Sequence, residues 1–215
     1  MAIRMIEYYN NIALIADDTH FTKWVKEAGR LDHHQGFLKQ LKPYIKGTVL
    51  DIGANIGTHT YFYTQHADEV LAFEPNPIVF DCLKHNCPKA TILHCAVSDH
   101  SGYISMADCG PNYGAAYTIP GIQIPCITID MLALPKCNYM KIDVEGDELA
   151  VLLGARETIR RHKPIMCIEC NEHTLVRKGL TGEMLIRYIR SIGYTCTDHN
   201  PQDICTDLIC LPVPS

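Results

Sequence analysis

No apolar run in the chain approaches the roughly 20 residues that a membrane-spanning helix needs. Nor does the N-terminus, "MAIRMIEYYNNIALIADD", place a basic stretch before an apolar one, because Glu7, Asn10 and Asn11 interrupt it. A soluble, cytoplasmic protein without membrane contact is therefore expected. Positive charge is not in surplus: 19 Lys and Arg stand against 24 Asp and Glu, a net charge of −5. The basic residues are scattered and form no basic face, which argues against nucleic acid as a partner. Repeats, low-complexity tracts and Pro/Gly/Ser-rich linkers are also missing. Eleven cysteines are present, but the C-x-x-C pair Cys167 and Cys170 has no second pair at comparable spacing, so zinc is not expected. Most cysteines lie in apolar runs and read as small buried hydrophobes.

What is present is an ordinary globular composition, 47% hydrophobic and 20% charged, over 215 residues, enough for one sizeable core. Up to about residue 47 the spacing is helical, in "FTKWVKEAG" and "GFLKQLKPYIKG". Strand and helix signals then alternate. Strands are expected at 48–53, 69–75, 90–98, 138–145 and 164–170, and helices at 58–67, 76–86, 147–161 and 181–192. A less regular stretch spans 100–127. The end reads as two strands joined by a polar turn around "HNPQD". Such alternation predicts a doubly wound, mostly parallel α/β sheet with an antiparallel edge strand, and ligands beyond the carboxyl ends of its strands.

The first strand end, "VLDIGANIGTHT", places Asp51, Gly53, Asn55 and Gly57 together. Gly53 permits a sharp turn, Asn55 tolerates a left-handed conformation, and Gly57 opens a helix whose free N–H groups suit an anionic group. Glu74 follows the second strand, in a position suited to gripping two ribose hydroxyls, although it could equally cap the next helix. Both NAD enzymes and S-adenosylmethionine enzymes use that device. "GANIG" lacks the third glycine of the NAD fingerprint.

The segments "VLDIGANIGTHT", "VLAFEPNP", "AVSDHSG", "KIDVEGDELAVLLGA" and "PIMCIEC", in this order, resemble the FkbM-type methyltransferases over roughly residues 48–195. The D-V-E-G-x-E stretch is the most specific mark. The resemblance implies a Rossmann-like class I methyltransferase with a seven-stranded sheet. It also implies S-adenosyl-L-methionine as cofactor, and O-methylation of a carbohydrate or secondary-metabolite hydroxyl. Residues 1–47 would form an N-terminal helical cap segment and residues 48–215 the cofactor-binding domain, one domain overall. By similarity Asp51, Gly53, Ala54, Asn55, Gly57 and Thr58 line the methionine part of the cofactor. Glu74 binds the ribose, Pro75 lies beside the adenine, and Ala96, Val97 and Ser98 flank it. Asp143 stands next to the transferred methyl.

An alcohol acceptor must also lose a proton. Strand alternation in "MKIDVE" puts Lys141, Asp143 and Glu145 on one side. Glu169, Asn171 and His173 come from the neighbouring strand end. Three arrangements fit: Asp143 or Glu145 as the base; His173 as the base, oriented by carboxylates; or magnesium bound by Asp143, Glu169 and Asn171. The carboxylate base is favoured and no metal is expected. Asn112, Tyr113 and Tyr117 of "PNYGAAY", with Asn171, are candidates for holding a small-molecule or glycan acceptor. His33, His34 and His94 read as structural or exposed, although an N-terminal histidine would reach the site if that segment closed over it. The alternatives are an RNA ribose 2′-O-methyltransferase and a non-catalytic protein that binds cofactor or partner. Nothing in the sequence indicates an oligomeric state.

Overall fold

The computed structural model describes residues 6–107, 110–197 and 204–214. The chain begins with a hairpin of β1 (Ile6–Tyr9) and β2 (Ile12–Ile15). Asn10 and Asn11, with φ of 50° and 63°, supply its left-handed two-residue turn. This corrects the helical expectation for the first residues. Helical spacing does hold for α1 (Phe21–Ala28), stopped by Gly29 in the left-handed region, and for α2 (Gln35–Leu41). Gly47 lies past the helical turn Lys42–Tyr44, at the entry to the sheet.

From β3 (Thr48–Ile52) the alternation proceeds as expected through α3 (Thr58–Tyr63), β4 (Glu69–Phe73), α4 (Pro77–Asn86) and β5 (Thr91–Leu93). Asn76, not Glu74, caps α4: its side chain accepts from the Ile78 N–H. The single strand expected over 90–98 is two, since β6 (Ala96–Val97) leaves the main sheet. It joins β7 (Gly102–Met106), β8 (Thr118–Pro120) and β9 (Ile124–Ile127) in a small mixed sheet. The irregular stretch is therefore largely this sheet. After β10 (Tyr139–Ile142) the expected single helix is broken into α5 (Glu148–Gly154) and α6 (Arg156–His162). Then come β11 (Ile165–Asn171), the short α7 (Glu172–Leu175), α8 (Gly182–Ser191), β12 (Tyr194–Cys196) and β13 (Cys205–Pro212). The expected "HNPQD" turn lies outside the described residues.

The main sheet has seven strands in the order β12-β13-β11-β10-β3-β4-β5. Its central pairs β11-β10-β3-β4-β5 are parallel, and β13 runs antiparallel to both neighbours. The reversed strand is thus one place in from the edge, not the edge strand itself, because β12 lies outside it.

Period-two alternation divides the sheet into two faces. Leu50, Ile52, Met140, Ile142, Met166 and Ile168 pack against Val151, Leu152, Ile159, Leu185 and Ile189 of α5, α6 and α8. Val49, Val70, Tyr139 and Cys167 face the other way, onto Leu38 and Leu41 of α2 and Phe62 and Tyr63 of α3. Burying each such aliphatic side chain contributes about 1.5–3 kcal/mol. Cys167 and Cys170 fall on opposite faces, so they share no ligand set, and the described cysteines are all unpaired thiols. Next along the second face come Asp51 and Lys141, paired across β3 and β10 and both about 1% exposed. Charged groups interrupt an apolar face where the strands end. No helix among the described residues is long and apolar enough to cross a membrane.

Candidate active site

A cavity of about 520 Å³ opens beyond the carboxyl ends of β3, β4, β10 and β11. One end of it is backbone. Gly53 has φ 84°, and a Cβ there would stand 1.7 Å from the carbonyl oxygen of Asp143, so the two loops touch only because position 53 is glycine. Asn55 also has positive φ, at 52°. The Asn55 N–H donates to one oxygen of Glu74 at 2.9 Å and the Asn76 N–H to the other at 2.8 Å. Burial pushes the Glu74 carboxyl up to about 7, against these two bonds. Asp51 accepts from Thr60 Oγ1 at 2.5 Å, and burial raises it to about 6. Ala54, Thr58, Pro75, Ala96 and Val97 also line this end. Gly57 and Ser98 do not. Gly57 is turned toward Cys87 Sγ, 2.5 Å from where its Cβ would be, and the Ser98 hydroxyl meets Asp99.

The other end is carboxylate. β10 stops at Ile142, and Glu145 takes a left-handed φ of 58°. Asp143, Glu145 and Glu169 each present an oxygen within 4.8 Å of the others. Burial first, then the neighbouring Asp143, pushes Glu145 up to about 8 and Glu169 up to about 9. Beneath them lies the Lys141 ammonium, 2.8 Å from Asp143 Oδ2 and 3.7 Å from Asp207 Oδ1. Burial alone would lower the lysine; these two carboxylates outweigh it and hold the lysine firmly charged.

The remaining expected residues occupy the rim. Asn171 lines the cavity, but its side-chain oxygen accepts from the His173 N–H and caps α7. The acids that cluster with Asp143 are Glu145 and Glu169. His173 is exposed at the mouth. Asn112 and Tyr113 line the wall, and the Tyr113 hydroxyl donates to Asp17 at 3.1 Å. Tyr117 lies outside the lining, under the Arg177 guanidinium at 4.7 Å. Asp147 makes no cap bond to α5. It pairs with Lys178 at 2.9 Å and accepts from Thr118, while Glu148 reaches back to the Val144 and Gly146 N–H groups.

Among the cavity residues that the sequence does not single out as site members are Asp207, His59 and Trp24, while His34 is an N-terminal histidine that reaches the site because its segment closes over it. A charged residue amid "ICTDLICL" was the signal for Asp207. His59 is the second residue of α3, and burial with nearby Lys141 lowers it well below the usual histidine range. Trp24 arrives from the same N-terminal segment as His34, and local sequence gives no hint of its distance to β10. His33 is half-buried beside them. His94, by contrast, stacks on Phe80 and contacts the Pro75 carbonyl.

The sheet, the glycine turn against Asp143 and the buried acid at the second strand end define the methyltransferase class of α/β proteins. Solved structures share that fold. One is the FkbM methyltransferase from Methylobacillus flagellatus KT, with TM-score 0.53, 20% identity, and coverage of 76% of this chain and 43% of that one. Another, from Streptococcus mutans, is assigned as a methyltransferase and was solved with SAH, with TM-score 0.54, 9% identity, and coverage of 83% and 96%. Residues 51–196 match the model of the methyltransferase FkbM domain, and the chain belongs to that family. A curated relative is the hexuronic acid methyltransferase AglP of Haloferax volcanii, 36% identical over 121 residues, 51% of this chain. The chain matches about half the length of that relative (50%).

Proposed function

We propose that this protein is an S-adenosylmethionine-dependent O-methyltransferase that methylates a hydroxyl of a carbohydrate or similar small molecule in the cytoplasm, with residues 1–47 covering the domain formed by 48–215. The observation that carries this reading is the approach of the Gly53 turn to Asp143, which sets a cofactor cradle directly against a cluster of acids. The proposal takes the mixed sheet as a Rossmann-like class I methyltransferase sheet. The residues fit the cofactor: Glu74 offers buried acceptors to ribose hydroxyls, and Asp51 and Asp143 place acidic side chains beside a cationic ligand. When bound, the cofactor supplies a methyl group on a cationic sulfonium.

In this reading Asp143, held by Lys141, accepts the hydroxyl proton as the oxygen attacks. Glu145 and Glu169, protonated near neutral pH, donate hydrogen bonds that orient the acceptor. Orientation of this kind can supply roughly 7–11 kcal/mol of the barrier. Support for a sugar acceptor is the relative named a hexuronic acid methyltransferase. A second reading rests on the three carboxylate oxygens within 4.8 Å, a spacing suited to a divalent cation that would acidify the hydroxyl. The test is labelled cofactor with sugars, small phenols and RNA. Label in a sugar methyl ether is expected. Label only in RNA, or binding of NAD in place of S-adenosylmethionine, refutes the proposal. Chelation followed by magnesium add-back decides between the two forms of proton removal; turnover is expected to be insensitive to both.

A further inference from the structure

The cavity is also lined by the rings of His20, Phe21, Trp24 and His34, which lie outside the segment that matches the family model. Trp24, the single tryptophan of the chain, lies in this wall and is 38% exposed. It is braced by four rings, among them His33, tilted with its centroid at 5.7 Å. Phe21 and His20 stand edge-on to it, with centroids at 5.5 and 5.7 Å, and His34 is tilted at 6.0 Å. The segment is also tied to the opposite rim. The Thr19 N–H donates to the Pro111 carbonyl at 3.0 Å, the Tyr113 hydroxyl bonds Asp17, and a Cβ on Gly114 would meet Phe21 at 2.2 Å. The indole is thus a fixed surface and not a wandering side chain.

Its position points to the acceptor and not the adenine. His34, next to Trp24, feels the charges of Asp207 and Lys141, and Lys141 holds Asp143. Glu74 and Pro75 lie at the end built from β4. We propose that Trp24 is the platform on which a pyranose acceptor stacks, with His20 and His34 beside it to meet ring hydroxyls and Asp143 facing the hydroxyl to be methylated. A pyranose with equatorial hydroxyls exposes a face of C–H groups, and the face of an indole matches it in size and polarity. Both imidazoles carry ring nitrogens that can hydrogen-bond to hydroxyls, and desolvation keeps the His34 ring below its ordinary value. The proposal rests on the carbohydrate O-methyltransferase reading above and names its acceptor subsite.

The single tryptophan makes the test direct. Calorimetry first establishes SAH binding to the wild-type protein. Methyl β-glucuronide and methyl β-glucoside are then titrated into the SAH-loaded protein while its emission is followed. A saturable change with either sugar is expected; no change with either, or a change with catechol alone, overturns the platform. Trp24→Ala should raise KM for the methylated sugar by about tenfold, a loss of one stacking contact. Its kcat and SAH affinity should stay near wild type, and Trp24→Phe should restore most of KM. An unchanged KM in Trp24→Ala, or SAH affinity that falls with it, refutes the assignment. Absence of SAH binding in the wild type would overturn the cofactor reading itself, and this proposal with it.

Discussion

The two ends of the cavity are built in different ways. The end proposed for the cofactor is made by two short stretches: Gly53, Ala54 and Asn55 of the turn after β3, and Glu74 and Pro75 after β4. The end proposed for the acceptor is assembled from side chains far apart in sequence: Trp24 and His34, Asp143 and Glu145, Glu169, and Asp207. A backbone cradle tolerates little change in shape but is indifferent to much side-chain chemistry. A side-chain cluster tolerates changes of shape but depends on charge. Variants at the two ends should therefore fail differently.

The largest effect is expected at Gly53. Gly53→Ala forces a left-handed alanine and a Cβ into the Asp143 carbonyl, 1.7 Å away. The cost is roughly 2–5 kcal/mol in stability. SAH binding should be lost, as calorimetry would record; near-wild-type affinity would show that the two loops do not meet as described. Next is Asp143→Asn, which keeps the shape and removes the charge. Turnover should fall by about 10²–10⁴, while SAH affinity changes little. Equal losses in both would erase the distinction between the two ends.

The same contrast explains what the sequence reveals. Gly53, Asn55 and Glu74 are legible because their roles follow from backbone conformation and spacing within one β-α-β unit. The convergence of Asp143, Glu145 and Glu169 is legible because adjacent parallel strands end together, as the pairing Ile142↔Ile168 confirms. Asp207 is not, because nothing local says that β13 would insert beside β11 rather than lie at the edge. Trp24 is not, because its segment reaches the site only through long-range bonds such as Thr19 to Pro111. The hairpin at 6–15 was read as helix because a four-residue strand has too short a pattern to separate the two periods.

The smallest effect sharpens the acidic end alone. Glu145 and Glu169 sit at about 8 and about 9, above the ordinary carboxyl value of 4.5. The folded protein therefore keeps protons that the unfolded chain gives up, and stability falls as pH rises from the ordinary value through about 8 to about 9. In chelator-containing buffer the Tm should decline over that range. Glu169→Gln preserves the shape of the group and removes its titration, so it should lessen the decline by about 2–4 °C, the shift that 1 kcal/mol makes in a chain of this size. A Tm profile that keeps its full slope in Glu169→Gln would mean that the proton resides elsewhere in the cluster. The same variant should leave SAH affinity at the backbone-built end untouched, because none of the hydrogen bonds that hold Glu74 or Asp51 passes through Glu169.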